Sequence, residues 1–500
     1  MYGKSLLFSL CAVGLMATPL LAAPQAKLNG SNFVIAEGVD DNVLSQIKAD
    51  MGKVKNPAEL GFALSKVKDE DLVRLCQAYP DMHALSVTGS KELTSLAPLA
   101  GLKKLEALGL DVGVADLSPL AGLTGIKTLK IADKSATDIA SLAKLVNVLK
   151  LDLNLENVAD FSPLAGMTKL ETINVQGKSM GPDLKWMSGM THLRRVSVTG
   201  YSFGAPHEKK LVSIEGLPSL PNLKDATISG AAPADLSPLV QAFPNLTRLS
   251  LSYCAVGDLA PLAHLANLAD LNLYGAHVKD FSPLAACPSL AKLTYYATKD
   301  CDYSTLGKLT QVKELNGGLT ELADISWMAG MKNLRSFDLF SEKVADYSPM
   351  ASSGVEQLQI WKMSVPQDLT SLGSVKTLTD LKLWDLNGMK GAAALASLPR
   401  LAKLTLDGVN AESGDPVDLS FLGKLSSLKE LVINGSKVAN FDAVAGCKAL
   451  ETVDIREAKG IASLAALKKL PALTSLTVAE DAFPDAELQG FDPRVEISKR

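Results

Sequence analysis

The sequence is poor in most of the groups that carry chemistry. Only 5% of its 500 residues are aromatic, and there are five histidines. His83, His192, His207, His264 and His277 form no HExxH motif and no close ligand cluster, which excludes the common zinc-hydrolase pattern. There is no GxSxG nucleophile elbow. Gly177-Lys178-Ser179 has the ending of a phosphate loop, but Thr172 occupies the place of its leading glycine. Six cysteines are widely spaced without a CxxC pair, so neither a zinc knuckle nor a dense disulfide framework is indicated. Beyond the first residues no apolar run is long enough to cross a membrane, and no LPxTG-type sorting signal occurs. Charge of one sign is missing as well. Fifty Lys+Arg against 54 Asp+Glu leave a net charge of −4, which excludes the basic face that nucleic acid requires. These absences predict a protein with no cofactor, no metal and no enzymatic activity.

What is present begins with an address. Lys4 is the only charge in residues 1–26, and the apolar stretch after it ends in small residues near Ala22 and Ala23. This pattern predicts a secretory signal peptide over 1–23, with a membrane anchor as the alternative. Cys11 lies too early, and follows Leu10 rather than a small residue, for lipidation. The mature chain is expected to be exported, either periplasmic or secreted to the cell surface.

With 47% apolar and 21% charged residues the rest reads as globular, and self-similarity sets its architecture. LEALGL at 105, LETINV at 170, LADLNL at 268, LRSFDL at 334, LTDLKL at 378 and LETVDI at 450 are copies of one LxxLxL unit. From MHALSV at 82 to LTSLTV at 473 there are about 18 copies, about 23 residues apart. Alternating apolar positions such as Leu271 and Leu273 predict a strand with one buried face. A second element follows in phase: DLSPL at 116, DFSPL at 160, DLSPL at 235 and DFSPL at 280. Its proline disfavours a long helix, and its aspartate is placed to accept a backbone N–H as a turn cap. One carboxylate per coil is too few for calcium. A single unit cannot cover its own apolar stripe, whereas stacked units cover each other.

LxxLxL strands followed by D-[LFI]-S-P-L-A-x-L resemble leucine-rich repeats of the short SDS22-like class, and the DFSPLAGMTKL style is similar to bacterial internalin-like proteins. The resemblance covers about 82–478. It implies an α/β solenoid: a leucine-rich repeat arc with a parallel concave β-sheet, convex short turns and 3-10 segments, and a helical N-terminal cap. Position 9 of the family's repeat is usually Asn, which ties neighbouring loops together. Here Glu156, Lys178, Cys254, Ala276, Thr298, Thr320, Glu342 and Ser436 stand there. Cys, Thr and Ser are partial substitutes. The expected organisation is a signal peptide at 1–23, the N-terminal helical cap at 24–81, the repeats at 82–478 and a C-terminal cap at 479–500. In the first cap, Val43, Leu44, Ile47 and Met51 share one helical face, and Leu72, Leu75, Cys76 and Tyr79 share another. Phe483, Leu488, Phe491, Val495 and Ile497 are expected to cover the last coil.

Repeat positions 3, 5 and 7 point out from the inner sheet. Position 7 becomes aromatic in five of six consecutive slots: Tyr274, Tyr296, Phe340, Trp361 and Trp384, with Gly318 in the third slot. Polar residues run beside them at position 5, among them Asn272, Asn316, Asp338 and Gln359. Aromatic bodies with polar handles are typical of binding hot spots. The other reading of the stripe is a ladder that only stiffens the sheet. The function expected is an exported binding module that holds a protein partner, or alternatively a glycan, on this face. The internalin-like resemblance implies protein–protein interaction, such as adhesion to a host or another cell. The alternative function is a periplasmic structural or regulatory scaffold.

Overall fold

The computed structural model describes residues 25–177, 183–199, 214, 216–230, 235–254, 256–296, 301–318, 322–341, 343–361, 367–411 and 415–500. The leader, including Cys11, Ala22 and Ala23, and the Tyr201–Lys210 insertion lie outside them. Two compact units divide the chain, Met1–Ala136 and Thr137–Arg500.

In the larger unit each repeat places a short strand beside the next, in parallel. Leu271 is aligned with Leu249 on one side and Leu293 on the other, and the same alignment recurs from repeat to repeat. Within Asp270–Tyr274 the alternation is realised directly. Leu271 and Leu273 are fully buried, Asp270 and Asn272 half-buried, and Tyr274 exposed. Parallel strands need a crossover, and here it is a single 3-10 turn, such as Ser282–Ala286. Pro283 sits in its first turn, where no backbone donor is required. Leu284 and Cys287 return fully buried beneath the strand. Two crossovers among the described residues of this unit, at Ser237–Ala242 and Asp485–Leu488, are α-helical instead. Tyr295 replaces a buried aliphatic. Its ring meets Phe281 edge-on at 4.6 Å, and its hydroxyl donates to the Val278 carbonyl at 3.0 Å.

The smaller unit contains the two helices expected from the cap pattern, α1 (Asp41–Asp50) and α2 (Asp69–Ala78). Val43 and Ile47 of α1 and Leu72, Leu75 and Cys76 of α2 are buried. The Asp40 side chain accepts the Val43 N–H at 2.8 Å and starts α1. The segment also supplies strands. Ala26–Asn29 and Asn32–Ile35 form an antiparallel hairpin, and Gly61–Ser65 pairs in parallel with both Asn32–Ile35 and Ala84–Ser90. At the other end of the chain, Glu496–Lys499 pairs in parallel with Ser475–Val478. Phe483, Leu488, Phe491, Val495 and Ile497 are all only half-buried there.

Loop tying is done by several residue types at shifting positions. Ser436 Oγ donates to the Leu406 carbonyl at 3.0 Å and accepts the Val409 N–H at 2.9 Å. The Cys254 thiol donates to the Ile228 carbonyl. Ala276 is simply buried. Ser90, Asp133 and Asn410 perform the same task by accepting the N–H groups of Val67, Val114 and Met389. Lys178, Thr298, Thr320 and Glu342 lie outside the described residues.

The aspartate of each DxSPL motif caps its turn. Asp280 accepts the Ser282 N–H at 2.7 Å and its hydroxyl at 2.7 Å. Asp160, Asp235, Asp324 and Asp346 bind their serines in the same way. In these five the backbone N–H is the main cause holding the carboxyl below its ordinary value of 3.8, followed by the serine hydroxyl. In Asp116, Asp368 and Asp418 the hydroxyl of Ser118, Thr370 or Ser420 acts first. A carboxyl whose folded pKa is depressed adds stability above its unfolded pKa and loses it as pH falls through the folded value. The melting temperature is therefore expected to hold from pH 7 to about 5 and to fall progressively below about pH 4. A pH series of thermal melts checks this, and a flat profile down to pH 2 would remove the caps from the stability of the coils.

Candidate aromatic binding face

Position 5 is aligned across six strands: Asn272, Thr294, Asn316, Asp338, Gln359 and Lys382 are successive Cα partners. Position 7 runs parallel to it. Tyr274 is paired with Tyr296, Tyr296 with Gly318, Gly318 with Phe340, and Trp361 with Trp384. The aromatic side chains expected on one row are therefore on one row. Tyr274 and Trp384 are 37% and 41% exposed, while Tyr296, Phe340 and Trp361 are half-buried.

The row is divided in two. Tyr274 and Tyr296 have ring centroids 4.5 Å apart, and Phe340 and Trp361 5.3 Å apart. Gly318 separates the pairs. A Cβ placed on it would lie 2.2 Å from Cδ1 of Tyr296, so the Tyr296 ring leans across the glycine. Tyr253 joins the first group, edge-on to Tyr274 at 5.0 Å. The repeat count puts Ser252, not Tyr253, at position 7. Regular pairing ends at Ser250, and Tyr253 then takes a left-handed backbone with φ +54. Its N–H donates to the Tyr274 carbonyl at 2.6 Å. The sequence signal available was an extra tyrosine directly after the slot.

The polar residues differ in what they offer. Asn272 is engaged, its Oδ1 accepting the Tyr274 N–H at 3.0 Å. Asn316 and Gln359 are half-buried. Asp338 makes no hydrogen bond or ion pair among the described residues, and desolvation by burial raises its carboxyl pKa. Lys382 and Lys292 oppose that rise from a distance, and Glu314 adds to it. Asp380 is raised for the same primary reason, with Lys382 and Lys403 opposing, and its Oδ1 is buried without a partner. Asp380 stands at position 3, where the other charges from Arg195 to Glu430 pair between strands. Arg195 and Arg248 each meet Asp225 at 3.0 Å, Arg248 meets Asp270 at 3.2 Å, Lys292 meets Glu314 at 3.2 Å, and Lys403 meets Glu430 at 2.8 Å. Exposed pairs of this kind add at most about 1 kcal/mol each. Their effect is to leave Asp380 as the one uncompensated charge of this row between Arg195 and Glu430 among the described residues.

Reactive chemistry is not assembled elsewhere among the described residues. No group of three His, Cys, Asp or Glu is arranged to hold a metal ion there. Burial raises the thiols of Cys287, Cys301 and Cys447 to about 11 and that of Cys76 to about 12, so they stay protonated and poor as nucleophiles. Two hollows lie beside the cap helices, one lined by Leu44, Met51 and Tyr79 and one by Cys76, Pro80 and Leu102. No described helix is long and apolar enough to cross a membrane.

No protein-family model and no curated protein matches the sequence. Solved structures do. The TLR13–ssRNA13 complex is similar at 15% identity with a TM-score of 0.50, over 87% of this chain and 76% of that one. One parallel strand per LxxLxL unit, returned by one short turn, is the arrangement the likeness rests on. The chain has the leucine-rich repeat fold. A leucine-rich repeat protein from Leptospira interrogans is similar at 14% identity with a TM-score of 0.46, over 75% of this chain and 88% of that one. An internalin from Listeria monocytogenes is similar at 20% identity with a TM-score of 0.30, over 87% and 94%. At these identities the likeness concerns the fold. On this leucine-rich repeat fold, aromatic surface and polar groups are gathered onto six adjacent strands.

Proposed function

We propose that this chain is an exported, non-enzymatic recognition protein that holds a protein partner along the row from Tyr274 to Trp384. The proposed organisation is a leader at 1–23, a cap at 24–81, repeats at 82–478 and a terminal cap at 479–500. One observation carries the reading: on five of six adjacent strands a large aromatic side chain stands, exposed or half-buried, on the outward row. Rigid aromatic surface supplies contact area at low entropic cost. Six strands about 4.8 Å apart give a track of roughly 24 Å, which suits an extended segment or a domain surface and exceeds a small metabolite. A glycan is the second candidate for the same track. The face has no surplus of positive charge, which argues against nucleic acid.

The test has two parts. N-terminal sequencing of the protein from its own cells is expected to find a start near Ala23, and an intact Met1 in the soluble fraction would overturn export. The immobilised mature chain is expected to capture a partner from the matching extracellular or envelope fraction that the Trp361→Ala/Trp384→Ala variant does not capture. Equal capture by both would move the binding site off the aromatic row.

A further inference from the structure

Asp338 stands out on the face because no hydrogen-bond or ion-pair partner meets it among the described residues. It lies at the middle of the position-5 row, between Asn316 and Gln359 on the adjoining strands. Phe340 follows two residues later on the same face of the same strand. The slot diagonal to it, Gly318, has no side chain, and the Tyr296 ring leans over that gap. Trp361 packs on Phe340 at 5.3 Å. Aromatic rings thus stand around the carboxylate, and the Tyr296 ring occupies the space over Gly318. Neither candidate lysine in the chain neutralises it by contact. Lys292 is paired with Glu314 at 3.2 Å. Lys382 lies two strands away in the same row, about 10 Å at the usual strand spacing.

Resting on the proposed recognition role, we infer that Asp338, with Tyr296, Phe340 and Trp361 around it, forms a seat for a basic side chain, Lys or Arg, of an extended peptide segment lying across the six strands. A carboxylate lowered into a partly desolvated site attracts a cation more strongly than one in water. A guanidinium or ammonium within about 6 Å of a ring face gains further attraction from the ring quadrupole. Arginine fits best, because its planar fork bonds a carboxylate while its face stacks on an aromatic ring. A hard metal ion fits poorly, because one carboxylate and two amides do not supply the six to eight oxygens calcium takes. The track of roughly 24 Å holds about seven extended residues, so one basic anchor near the centre leaves aromatic contacts on either side. The burial that raises the Asp338 carboxyl pKa is the cost that a bound cation offsets.

The experiment uses a random dodecapeptide display library panned on the mature chain. Enriched peptides are expected to share an Arg or Lys at a fixed place in their consensus. Their affinity is expected to fall at least tenfold for Asp338→Asn and to stay within twofold for Asp380→Asn. Affinity for the unsubstituted chain is expected to weaken between 50 and 500 mM NaCl. That salt series decides the matter if Asp338→Asn fails to fold, and a flat response then overturns the seat. Peptides without a basic consensus, or peptides that bind Asp338→Asn undiminished, overturn it directly. If such peptides still need Trp361 and Trp384, the recognition role stands and only the cationic seat falls. If they ignore the tryptophans as well, both fall. Binding of chitohexaose or cellohexaose to the row, with no peptide enriched, also overturns the seat.

Discussion

Replacing Trp361 and Trp384 together by alanine is expected to weaken partner binding by at least about 2 kcal/mol, roughly thirtyfold, with only a small loss of stability. The two residues are Cα partners on neighbouring strands, Gln357–Trp361 and Asp380–Trp384. Trp384 is 41% exposed, so its indole contributes little to the packed interior and much to the outer face. Trp361 is half-buried against Phe340 at 5.3 Å, and an aromatic pair of this kind contributes about 0.5–1.5 kcal/mol. The double variant should therefore melt a few degrees early while its strands stay paired. Calorimetric titration with the captured partner, beside a thermal melt, separates the two effects. Early unfolding of the variant by far more than the single ring pair accounts for would mean that the aromatic row is a stiffening ladder. A stable variant with full affinity would remove the row from the interface.

The second large effect is expected in the interior. Leu271→Ala should lower unfolding stability by about 2–5 kcal/mol. Leu271 is fully buried and stacked in register between Leu249 and Leu293. A stacked coil has only its two neighbours to close the space left by a deleted side chain, so relaxation is limited and the cavity persists. Ala269→Ser is the control. Ala269 is half-buried just before the strand, and its change should stay within about 0.5 kcal/mol. Urea midpoints of the two variants check the difference, and equal shifts would mean that the assigned strand phase is wrong.

Much of this was legible beforehand because it repeats. A period of about 23 with LxxLxL strands leaves one way to bury Leu271 and Leu273 while exposing Tyr274, and stacking in register then converts a sequence interval into spatial adjacency. That is why Tyr274, Tyr296, Phe340, Trp361 and Trp384 could be placed on one row by counting alone. Counting failed where the repeat is broken. Tyr253 reaches the row through a left-handed residue after the strand has ended. The cap strands Asn32–Ile35 and Gly61–Ser65 lack the leucine pattern, using Phe33, Phe62 and Ile35 as buried residues instead. The loop ties by Ser90, Asp133 and Asn410 fall at different offsets, because each depends on where a neighbouring N–H is left over.

The sequence by itself determined the period, the buried and outward positions, the turn caps and the identity of the aromatic row, all of which follow from local chemistry repeated at a constant interval. Only the tertiary structure decided how the outward residues share the face. The position-3 charges from Arg195 to Glu430 pair between strands except at Asp380, Asn272 turns to its own backbone, the Tyr296 ring leans over Gly318, and Asp338 is left without a partner among the described residues. Those outcomes depend on distances of a few ångströms between side chains on different coils, and periodicity carries no information about which neighbour a side chain will choose.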